Sequence, residues 1–594
     1  MDRQEQATTG SVPNRRLHCN HRAITGKSPG DRLQAVVPMY FKHGPLKWLD
    51  MAWNRRRTTA ALIVLVAPSL FGAGTESAPE TASISAADLR RDVFVLASDD
   101  MGGRLVGTEG NHQAAEFIAG RFEELGLTPV ANDSYRHSFD LIIPRLGTNS
   151  RLNVSIGGQT SSYRSGNDFF PEPFSGTGQA EGSLIFVGFG ISAPDLGHDD
   201  YGGANINGRV VLMLDHEPGE RDPASRFDGD LPSESARSVR KALEAQRRGA
   251  AAVLFVSDVH NHSTTRSMSR RMRDAWPREQ GRVPRYQLGA WVSELRIPAV
   301  RISTQQAEDM LLEGDTSLDA VTRLAEAAGG MTPIEHPDVL IDVTTTVYRE
   351  RIPEDNVVGL IEGTDPVLRD EWIIICAHYD HEGTTSDGIF NGADDDASGV
   401  AGLLEIAEAY ALAARRGQQP RRSILLAAWN AEERGMLGAW AYTEQPLTPL
   451  DRTIAVLNMD MIGRNEEVPE NAGRRFNGLE PQTAESNANA VNLLGYSYSS
   501  DLRATAEAAN VETGLQLRFR YDDSESNLLR RSDHWPFLAR GVPALFVHTG
   551  LHPDYHTARD QPETLDYDKM SRVVQMVYEM SWSLAQGDTR PTLE

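Results

Sequence analysis

Cysteine is nearly absent from this sequence. Only Cys19 and Cys376 occur among its 594 residues. Cys19 would be lost with a predicted leader and Cys376 lies in an apolar run, so we expect no disulfide in the mature chain. No cysteine stands at the exit of the leader to carry a lipid. A disulfide-stapled scaffold is therefore excluded, and we expect a large core and bound metal to stabilise the protein.

The sequence also lacks positive net charge. It holds 59 Lys and Arg against 83 Asp and Glu, which gives a formal net charge of -24. A protein that binds nucleic acid needs a basic face for the phosphates, so we expect no nucleic acid among the partners. A length of 594 residues exceeds one ordinary domain and leaves ample chain for a large core.

No apolar run near the N-terminus is long enough to span a membrane. Residues 60–71 are apolar, but they fall short of the ~20 residues that a span needs, and Pro68 interrupts them. Three arginines at 55–57 precede this run and small residues follow it. This order is typical of a secretory signal peptide around residues 51–74. An uncleaved membrane anchor is the alternative.

Met51 stands just ahead of these arginines. We therefore expect translation to start there and residues 1–50 to be an upstream extension. Residues 1–78 are assigned to this leader, and the mature protein is expected to have no stable membrane span. A signal peptide also predicts a secreted or periplasmic protein of a bacterium.

Residues 85–130 have a helical pattern. Leu89, Val93 and Leu96 recur at three- and four-residue steps, and apolar residues from 115 to 125 do the same. This spacing predicts two amphipathic helices. Gly126 is expected to end the second helix.

Residues 165–325 have a different hydrophobic pattern from the helical segment before them. Short apolar runs typical of strands, such as "GSLIFVGFG", "GRVVLMLD" and "AAVLFVS", alternate with one predicted helix at 235–248. An Arg-rich stretch at 260–285 is expected to be an exposed loop. We find no cluster of His, Asp and Glu at ligand-like spacing in this region.

After about residue 356 the pattern becomes strand–helix–strand. Apolar runs such as "NVVGLIEG", "EWIIICAHYD", "RSILLAAWNAEE", "TIAVLNMDMIG" and "PALFVHTG" alternate with helices predicted at 399–414 and 436–443. Fully apolar strands are typical of a sheet that is covered on both faces. The alternation predicts an α/β domain with a mainly parallel sheet flanked by helices. Residues 465–500, rich in Asn, Glu and Ser, are expected to be a surface insertion.

Metal-competent side chains follow the predicted strand ends and nearby loops of this half. They are His378, Asp380, Asp394, Asp395, Asp396, Glu432, Glu433, Asp460 and His556. In parallel sheets the chemistry gathers beyond the carboxyl ends of the strands. One such residue is more often an ordinary polar group or a helix N-cap, as Asp396 or Ser398 could be. Several carboxylates buried together, however, need cations to neutralise them, and two His with three carboxylates suit zinc.

Six segments of this half carry a family resemblance. They are "AHYDH", "NGADDDASGVAGLLEIA", "RRSILLAAWNAEERGMLGAWAY", "VLNMDMIGR", "SDHWPFLARGVPALFV" and "YHTARD". In order and spacing they resemble the zinc aminopeptidase and glutamate carboxypeptidase family of co-catalytic dizinc exopeptidases. The resemblance implies a phosphorylase/hydrolase-like fold with a mixed, mainly parallel sheet. Residues 79–150 would form the N-terminal part of the peptidase domain, and residues 346–590 its catalytic part.

The resemblance also implies a set of metal ligands. His378 and Asp460 would bind one zinc ion, Glu433 and His556 would bind the other, and Asp395 would bridge the two. The implied cofactor is two Zn2+ per chain. No ligand position is substituted in this sequence. This completeness favours an enzyme over a metal-stabilised binding protein, which is the non-enzyme alternative.

Three further residues take roles from the same resemblance. Glu432 would be the general base that accepts a proton while water attacks the peptide carbonyl. Asp380 would hold the ring of His378 and fix its tautomer. Tyr555 could donate a hydrogen bond to the developing oxyanion, although a Tyr beside a buried His could equally serve packing. The "SDH" segment at 532–534 would shape the site without binding metal.

Residues 151–345 resemble the protease-associated domain that is inserted in many relatives. The likeness rests on "IFVGFGISAPDLGHDDYGGANINGRVVLML", "KALEAQRRGAAAVLFV" and "RIPAVRIS". The resemblance implies a lid or a substrate-shaping role for this β-rich insertion. A passive spacer is the alternative.

Three reactions are compatible with the family. A glutaminyl cyclase is disfavoured, because its bridging segment does not read "DDDASG" and it lacks the inserted domain. A carboxypeptidase or dipeptidase needs basic residues for a terminal carboxylate, and Arg464 is the only obvious candidate. We therefore expect an aminopeptidase that acts on peptide substrates.

Overall fold

The computed structural model describes residues 78–594, apart from 131–132, 223, 228–232, 263–266, 278–283, 313–315 and 472. The predicted signal peptide at 51–74, the start expected at Met51, and Cys19 lie outside the described residues. Nearly all of the leader assigned to residues 1–78 lies outside them as well.

The larger of two main sheets has ten described strands. Nine follow one another in the order Gln287–Leu288, Arg136–Leu146, Val347–Ile361, Ser423–Trp429, Trp372–His378, Thr453–Met459, Ala544–His548, Ala490–Leu494 and Gln516–Arg518. The tenth, Thr128–Pro129, pairs with Val347–Ile361. The four strands from Ser423–Trp429 to Ala544–His548 are parallel neighbours and almost wholly buried. They form the covered centre that the apolar runs predicted.

Parallel pairing is found in this centre and between the edge strands Ala490–Leu494 and Gln516–Arg518, so the expected mainly parallel sheet is only partly observed. The pairings between Arg136–Leu146, Val347–Ile361 and Ser423–Trp429 are antiparallel, and so is the pairing between Ala544–His548 and Ala490–Leu494. The cause is the path of the chain. Arg136–Leu146 leaves the sheet at the end where Val347–Ile361 re-enters it, so neighbouring strands must run in opposite directions. The fold is therefore mixed α/β.

Two hydrophobic cores cover the two faces of the larger sheet. Successive residues of a strand point to opposite faces, and Ile373 and Ile375 accordingly lie in one core while Ile374 and Cys376 lie in the other. The helices outside residues 151–345 are Ala86–Leu96, Glu109–Leu125, Gly399–Arg415, Leu437–Glu444, Ser500–Ala509, Trp535–Leu538 and Tyr567–Gln586. The two helices predicted within 85–130 are confirmed, and Gly126 ends the second with a φ of 79°.

The helix at the centre of the first core is unusually apolar. By length and composition Ala393–Arg415 could cross a membrane, yet 78% of its apolar window is buried inside the protein. Packing on both sides of this segment explains its composition, because a helix that is apolar all round is a core helix or a membrane span.

The second sheet is built from residues between 151 and 345. Its eight described strands follow the order Gln159–Arg164, Arg151–Ile156, Ile334–Thr345, Gly178–Phe186, Val210–Leu214, Ala252–Val256, Ala299–Ile302 and Phe169–Pro171. The accompanying helices are Ser238–Arg247, Met268–Ala275, Gly289–Val292, Thr304–Leu312 and Leu318–Ala325. We call this sheet and its helices the second-sheet unit. Two small ribbons, Ser192–Ala193 with His198–Asp199 and Gly383–Thr385 with Gly388–Phe390, complete the described strands.

Two expectations for irregular segments were wrong. The Arg-rich stretch 260–285 contains the helix Met268–Ala275. The supposed surface insertion 465–500 contains the buried strand Ala490–Leu494 of the larger sheet. For Ala490–Leu494, pairing with Ala544–His548 outweighs the polar composition of the residues around it.

Candidate metal centre

The predicted ligands meet at one edge of the larger sheet. His378 is the last residue of its strand, and Asp460 directly follows the neighbouring strand Thr453–Met459. Glu432 and Glu433 follow Ser423–Trp429 in a short helical turn. Because these strands are parallel, their carboxyl ends lie side by side and bring the side chains together.

Asp395 reaches this edge from the turn before the helix Gly399–Arg415. Its backbone, like that of Asp396, departs from helical φ and ψ. The buried carboxylate of Asp560 accepts hydrogen bonds from the backbone N–H groups of Asp394, at 3.0 Å, and Asp395, at 3.2 Å. Asp560 thereby anchors the segment that carries the Asp395 side chain.

The two carboxylate oxygens of Asp395 face two different histidines. Its Oδ1 lies 3.2 Å from Nε2 of His378, and its Oδ2 lies 3.0 Å from Nε2 of His556. His378 Nε2 is also 3.6 Å from Asp460 Oδ1, and His556 Nε2 is 3.1 Å from Glu433 Oε2. The structure thus brings all five predicted ligands together, with Asp395 between the two pairs.

His381 joins this cluster although the sequence analysis gave it no role. Its Nδ1 lies 2.7 Å from Glu433 Oε1 and 3.7 Å from Asp395 Oδ2, and the residue is fully buried. Donor atoms of His381, Asp395, Glu433 and His556 all lie within 4.8 Å of one another. The final His of "AHYDH" was the available signal, but nothing in the spacing distinguished it from a structural histidine.

Asp396 lies in the other half of the cluster but serves the backbone. Its Oδ1 accepts hydrogen bonds from the N–H groups of Gly399, at 2.9 Å, and Met461, at 3.2 Å, while its Oδ2 accepts from His378 N at 3.1 Å. The first of these bonds confirms Asp396 as a cap of the helix that follows. The other two hold the strand ends that carry His378 and Asp460 at fixed separation.

The position of Asp380 differs from the role expected for it. Nδ1 of His378 is 3.2 Å from the backbone oxygen of Asp380 but 3.9 Å from its carboxylate. The carboxylate instead accepts hydrogen bonds from the backbone N–H groups of Glu432, at 2.9 Å, and Glu433, at 3.4 Å. Free N–H groups at the start of a helical turn attract a carboxylate. The carbonyl of Asp380 therefore contacts the imidazole, and its side chain positions the two glutamates.

Ser532 and His548 both contact Asp460 and hold it in place. Ser532 Oγ donates to Asp460 Oδ2 at 2.6 Å, and His548 Nδ1 is 2.9 Å from the backbone oxygen of Asp460. Asp533 and His534 are buried beside them and are absent from the donor groups within 4.8 Å of one another. This placement agrees with a segment that shapes the site.

Glu432 and Tyr555 border a small pocket at the cluster. Glu432 Oε2 lies 3.9 Å from His378 Nε2. The ring of Tyr555 stacks on that of His556, with 3.9 Å between the centroids, and its hydroxyl accepts a hydrogen bond from Arg531 Nη2 at 3.2 Å. The pocket has a volume of about 30 Å³, and its wall is completed by Met461, Leu528, Phe546 and Leu551. Arg531 was not singled out by the sequence analysis, because only the folded loops bring it beside Tyr555.

Burial and close charges perturb the ionisation of the site. Burial lowers the pKa of His378, but Asp460 and Glu432 outweigh that effect and raise this pKa well above its ordinary value. Burial raises the pKa of Glu432 well above its usual range, and His378 only partly opposes the rise. Burial also disfavours the charged form of Glu433, yet His556 holds the pKa of that carboxyl below its usual range. Anionic and imidazole groups this crowded are stabilised by a bound cation.

The donor set fits zinc. Nε2 of His378, both ring nitrogens of His381, Oδ2 of Asp395 and Oε1 of Glu433 are buried without a hydrogen-bond partner. Unsatisfied buried polar atoms are costly, so convergent ones indicate a cation-binding site. Imidazole and carboxylate ligands at this density suit Zn2+, which can keep a coordination position open for catalysis.

Comparison with known proteins agrees with this chemistry. Residues 356–581 match the profile of Peptidase family M28. A probable zinc metalloprotease of Pyrenophora tritici-repentis is 31% identical over 265 residues, which cover 40% of this chain and 52% of that protein. The probable glutamate carboxypeptidase AMP1 of Arabidopsis thaliana is 23% identical over 476 residues, covering 77% of this chain and 61% of that protein.

A third relative is named as an aminopeptidase. The aminopeptidase NAALADL1 of Rattus norvegicus is 30% identical over 246 residues, covering 38% of this chain and 30% of that protein. The chain spans about half the length of the curated fungal relatives it matches. The match to Peptidase family M28 over residues 356–581 includes all five predicted ligands.

Proposed function

We propose that the chain is a dizinc exopeptidase that removes N-terminal residues from peptides. The observation that carries this proposal is the placement of Asp395, whose two carboxylate oxygens face His378 and His556 separately. A carboxylate shared in this way suits two cations a few ångströms apart, as co-catalytic sites require. His378, Asp395 and Asp460 would hold one zinc ion, and Asp395, Glu433 and His556 the other.

Glu432 is the proposed general base. Zinc, when bound, supplies Lewis-acid chemistry to the hydrolysis of a peptide bond. The Glu432 carboxyl borders both the donor cluster and the pocket, and Asp380 fixes its backbone. It would take a proton from the attacking water and return it to the leaving amine. Its burial suits this exchange, because a poorly solvated carboxylate is a stronger base than an exposed one.

Tyr555 is the proposed hydrogen-bond donor to the developing oxyanion. Stacking on His556 holds its ring, and Arg531 contacts its hydroxyl oxygen. With that oxygen accepting from Arg531, the hydroxyl proton remains available for the substrate carbonyl. A preorganised donor of this kind stabilises the transition state more than the bound substrate.

The small pocket supports exopeptidase action. The pocket beside Glu432 is small, which suits the binding of a terminal residue. Met461, Leu528, Phe546 and Leu551 form the apolar part of its wall, which suits an apolar side chain on the terminal residue. The rat relative is named as an aminopeptidase, which supports the proposed removal of N-terminal residues.

A carboxypeptidase is the second candidate, and Arg531 favours it. This arginine lines the pocket, and among the described residues it has no recorded ion pair with a carboxylate, so it could bind a terminal carboxylate. Arg464, the candidate from sequence, is instead paired with Asp554, at 3.1 Å. The Arabidopsis relative is named as a probable glutamate carboxypeptidase, which also supports the carboxypeptidase alternative.

A matched panel of dipeptides and tripeptides tests the direction of cleavage. Each peptide is offered with a free amino terminus, with an acetylated amino terminus and with an amidated carboxyl terminus. We expect hydrolysis of every peptide that has a free amino terminus and none of the acetylated set. Cleavage of acetylated peptides that amidation abolishes would establish the carboxypeptidase instead. Absence of hydrolysis throughout, with zinc bound, would favour the metal-stabilised binding protein.

We also propose that residues 51–74 direct export from a bacterial cell. The support is the order of arginines, apolar run and small residues in the sequence. Expression of the chain from Met51, followed by N-terminal sequencing of the periplasmic and extracellular protein, tests this. A mature terminus shortly after residue 74 is expected. Recovery of the uncut chain in the membrane fraction would favour the anchor.

A further inference from the structure

A second group of metal-competent side chains lies in the second-sheet unit. His216 follows the strand Val210–Leu214, and His262 follows Ala252–Val256, the next strand of that sheet. Nδ1 of His216 is 2.9 Å from Glu220 Oε2, and Nε2 of His262 is 2.6 Å from Glu220 Oε1. One carboxylate thus has an imidazole at each oxygen. The expectation that this region holds no such cluster was wrong, because 45 residues lie between His216 and His262 and no local spacing reveals the group.

The contacts of His262 differ from those of an ordinary polar pair. Its Nε2 is buried and lies 2.6 Å from Glu220 Oε1, yet the two atoms do not form a hydrogen bond. The imidazole rings of His216 and His262 lie 4.5 Å apart, tilted by 39°. Three ligand atoms, one from each residue, lie within 4.8 Å of one another. A buried nitrogen that faces a carboxylate oxygen without a hydrogen bond indicates lone pairs that converge on one point.

The loops that carry Glu220 and His262 are held together independently of these side chains. Glu326 accepts hydrogen bonds from Gly219 N at 2.7 Å and from Asn261 Nδ2 at 2.6 Å. Gly219 and Asn261 immediately precede Glu220 and His262. The carboxylate of Glu326 therefore fixes the separation of two of the three donors.

The third donor is held by a buried lysine. Lys241 Nζ donates to the backbone oxygen of Leu214 at 3.2 Å and also to that of His216. His216 has a φ of 62°, in the left-handed region that non-glycine residues rarely adopt. The hydrogen bonds of Lys241 stabilise this turn, which directs His216 toward Glu220.

The surrounding charges permit a cation. Arg271 and Arg301 are the guanidinium groups in the wall of the adjoining cavity, and both are paired with Asp215; Arg301 also contacts Glu172 at 2.6 Å. Their positive charge is thus largely offset. The cavity has a volume of about 500 Å³, and His216 and His262 lie in its wall. An ion would have a path of entry and room for water in its open coordination positions.

We propose that His216, Glu220 and His262 form a binding site for a divalent transition-metal ion of the zinc type, separate from the peptidase centre. Two neutral imidazoles and one carboxylate are a common ligand set for Zn2+, and three protein ligands leave a position for water. Their summed charge of -1 would be outweighed by the ion, as in other three-ligand zinc sites. The hard oxygen-rich environment that Ca2+ or Mg2+ requires is absent from these three side chains.

Zinc stoichiometry of the full chain tests the site. The wild type and variants are equilibrated by dialysis against buffered micromolar Zn2+, and bound zinc per chain is measured by mass spectrometry of the elements. We expect His262→Ala and Glu220→Gln each to bind about one zinc ion fewer than the wild type. His260→Ala, in the same loop but exposed, is the matched control and should bind as much as the wild type. Equal zinc in wild type and His262→Ala, or an equal loss in His260→Ala, would overturn the site.

Two features keep the test decisive. Far-ultraviolet circular dichroism checks the fold of each variant. Glu220→Gln preserves side-chain volume, and it decides the outcome if His262→Ala does not fold. The quantity that matters is the difference between variants. It therefore does not depend on how many ions the peptidase centre holds, and failure of the two-zinc proposal would leave this result interpretable.

Discussion

The guanidinium of Arg531 donates a hydrogen bond to the hydroxyl oxygen of Tyr555, with 3.2 Å between the two atoms. If this contact orients an oxyanion donor, Tyr555→Phe should lower kcat on the order of 10²-fold. Arg531→Ala should lower kcat about 10-fold, and the double variant should be little worse than Tyr555→Phe alone, because the two residues act as one unit. Steady-state kinetics on an amino-acid p-nitroanilide measure these values.

Arg559→Ala is the control for this pair, since Arg559 is exposed and contacts Asp554. It should retain the parental kcat. A rise in KM without a change in kcat for Arg531→Ala would instead mean that this arginine binds the substrate's carboxylate, as the carboxypeptidase alternative requires.

Replacement of the proposed base should separate metal binding from catalysis. Glu432→Gln is expected to lower kcat by about 10²-fold or more while zinc content stays unchanged, because a neutral amide cannot accept the proton. Glu470→Gln, an exposed site on the loop after Asp460, should behave like the wild type. Parental rates in Glu432→Gln would remove Glu432 from the mechanism.

The two halves of the metal centre should lose zinc in different proportions. His556→Ala removes a ligand from one half only, so bound zinc should fall by about one ion relative to the wild type. Asp395→Asn weakens both halves of the centre, so this variant should bind about two zinc ions fewer than the wild type. Elemental analysis after dialysis distinguishes these losses. If both variants lost the same single ion, the centre would hold one metal.

Removal of zinc should abolish hydrolysis reversibly. Treatment with 1,10-phenanthroline followed by dialysis is expected to leave no measurable rate, and addition of Zn2+ should restore it. A non-chelating phenanthroline isomer serves as the control for direct inhibition. Full activity in protein shown to be free of zinc would contradict the metal-dependent mechanism.

Glu405 should make the folded protein less stable as pH rises. It is buried in the helix Gly399–Arg415, and burial raises its pKa from 4.5 to about 8. A raised folded-state pKa stabilises the protein below pH 4.5, and this contribution is lost as pH rises toward 8. Glu405→Gln removes that dependence. Its free energy of unfolding should therefore exceed that of the wild type by roughly 1–3 kcal/mol at pH 8.

Urea denaturation at pH 5 and pH 8 measures this difference. Comparison of variant with wild type at each pH cancels the pH dependence of zinc binding. Glu408→Gln, one turn along the same helix and 39% exposed, should show a much smaller change. If the difference in free energy of unfolding between Glu405→Gln and the wild type were the same at pH 5 and pH 8, Glu405 would not have a raised pKa.

The convergence of the five proposed ligands could be predicted because topology and sequence motifs agreed. Parallel strands end at one edge of a sheet, which places His378 and Asp460 together from topology alone, and the motifs identified the remaining members. His381 and Arg531 could not be predicted in the same way. Their contacts depend on how loops fold back on the sheet, and a single His or Arg in a loop carries no periodic signal.

The same limit applies to the second-sheet unit and to the strand Ala490–Leu494. His216 and His262 meet because Val210–Leu214 and Ala252–Val256 are neighbours in a sheet, which no local pattern reveals. Ala490–Leu494 lies within a polar stretch, so composition indicated surface while pairing with Ala544–His548 buries it. The presence of Asp380 at the site was predicted, but the atom that contacts His378 was not. The backbone N–H groups of Glu432 and Glu433 bind the Asp380 carboxylate, so its carbonyl oxygen lies nearer to the His378 ring.

Leu146 and Val347 are Cα partners at the last rung of an antiparallel ladder, and Gly147 N donates to Thr346 O at 2.8 Å across it. The chain thus leaves and re-enters the larger sheet at one point, as it would through an ordinary hairpin turn. Apart from Gln287–Leu288, no described strand between these residues contributes to that sheet. The second-sheet unit is therefore inserted at one point of the chain, and it contacts the larger sheet again through Gln287–Leu288. The strands that carry the peptidase centre all follow Val347 in the chain, so this insertion does not interrupt them.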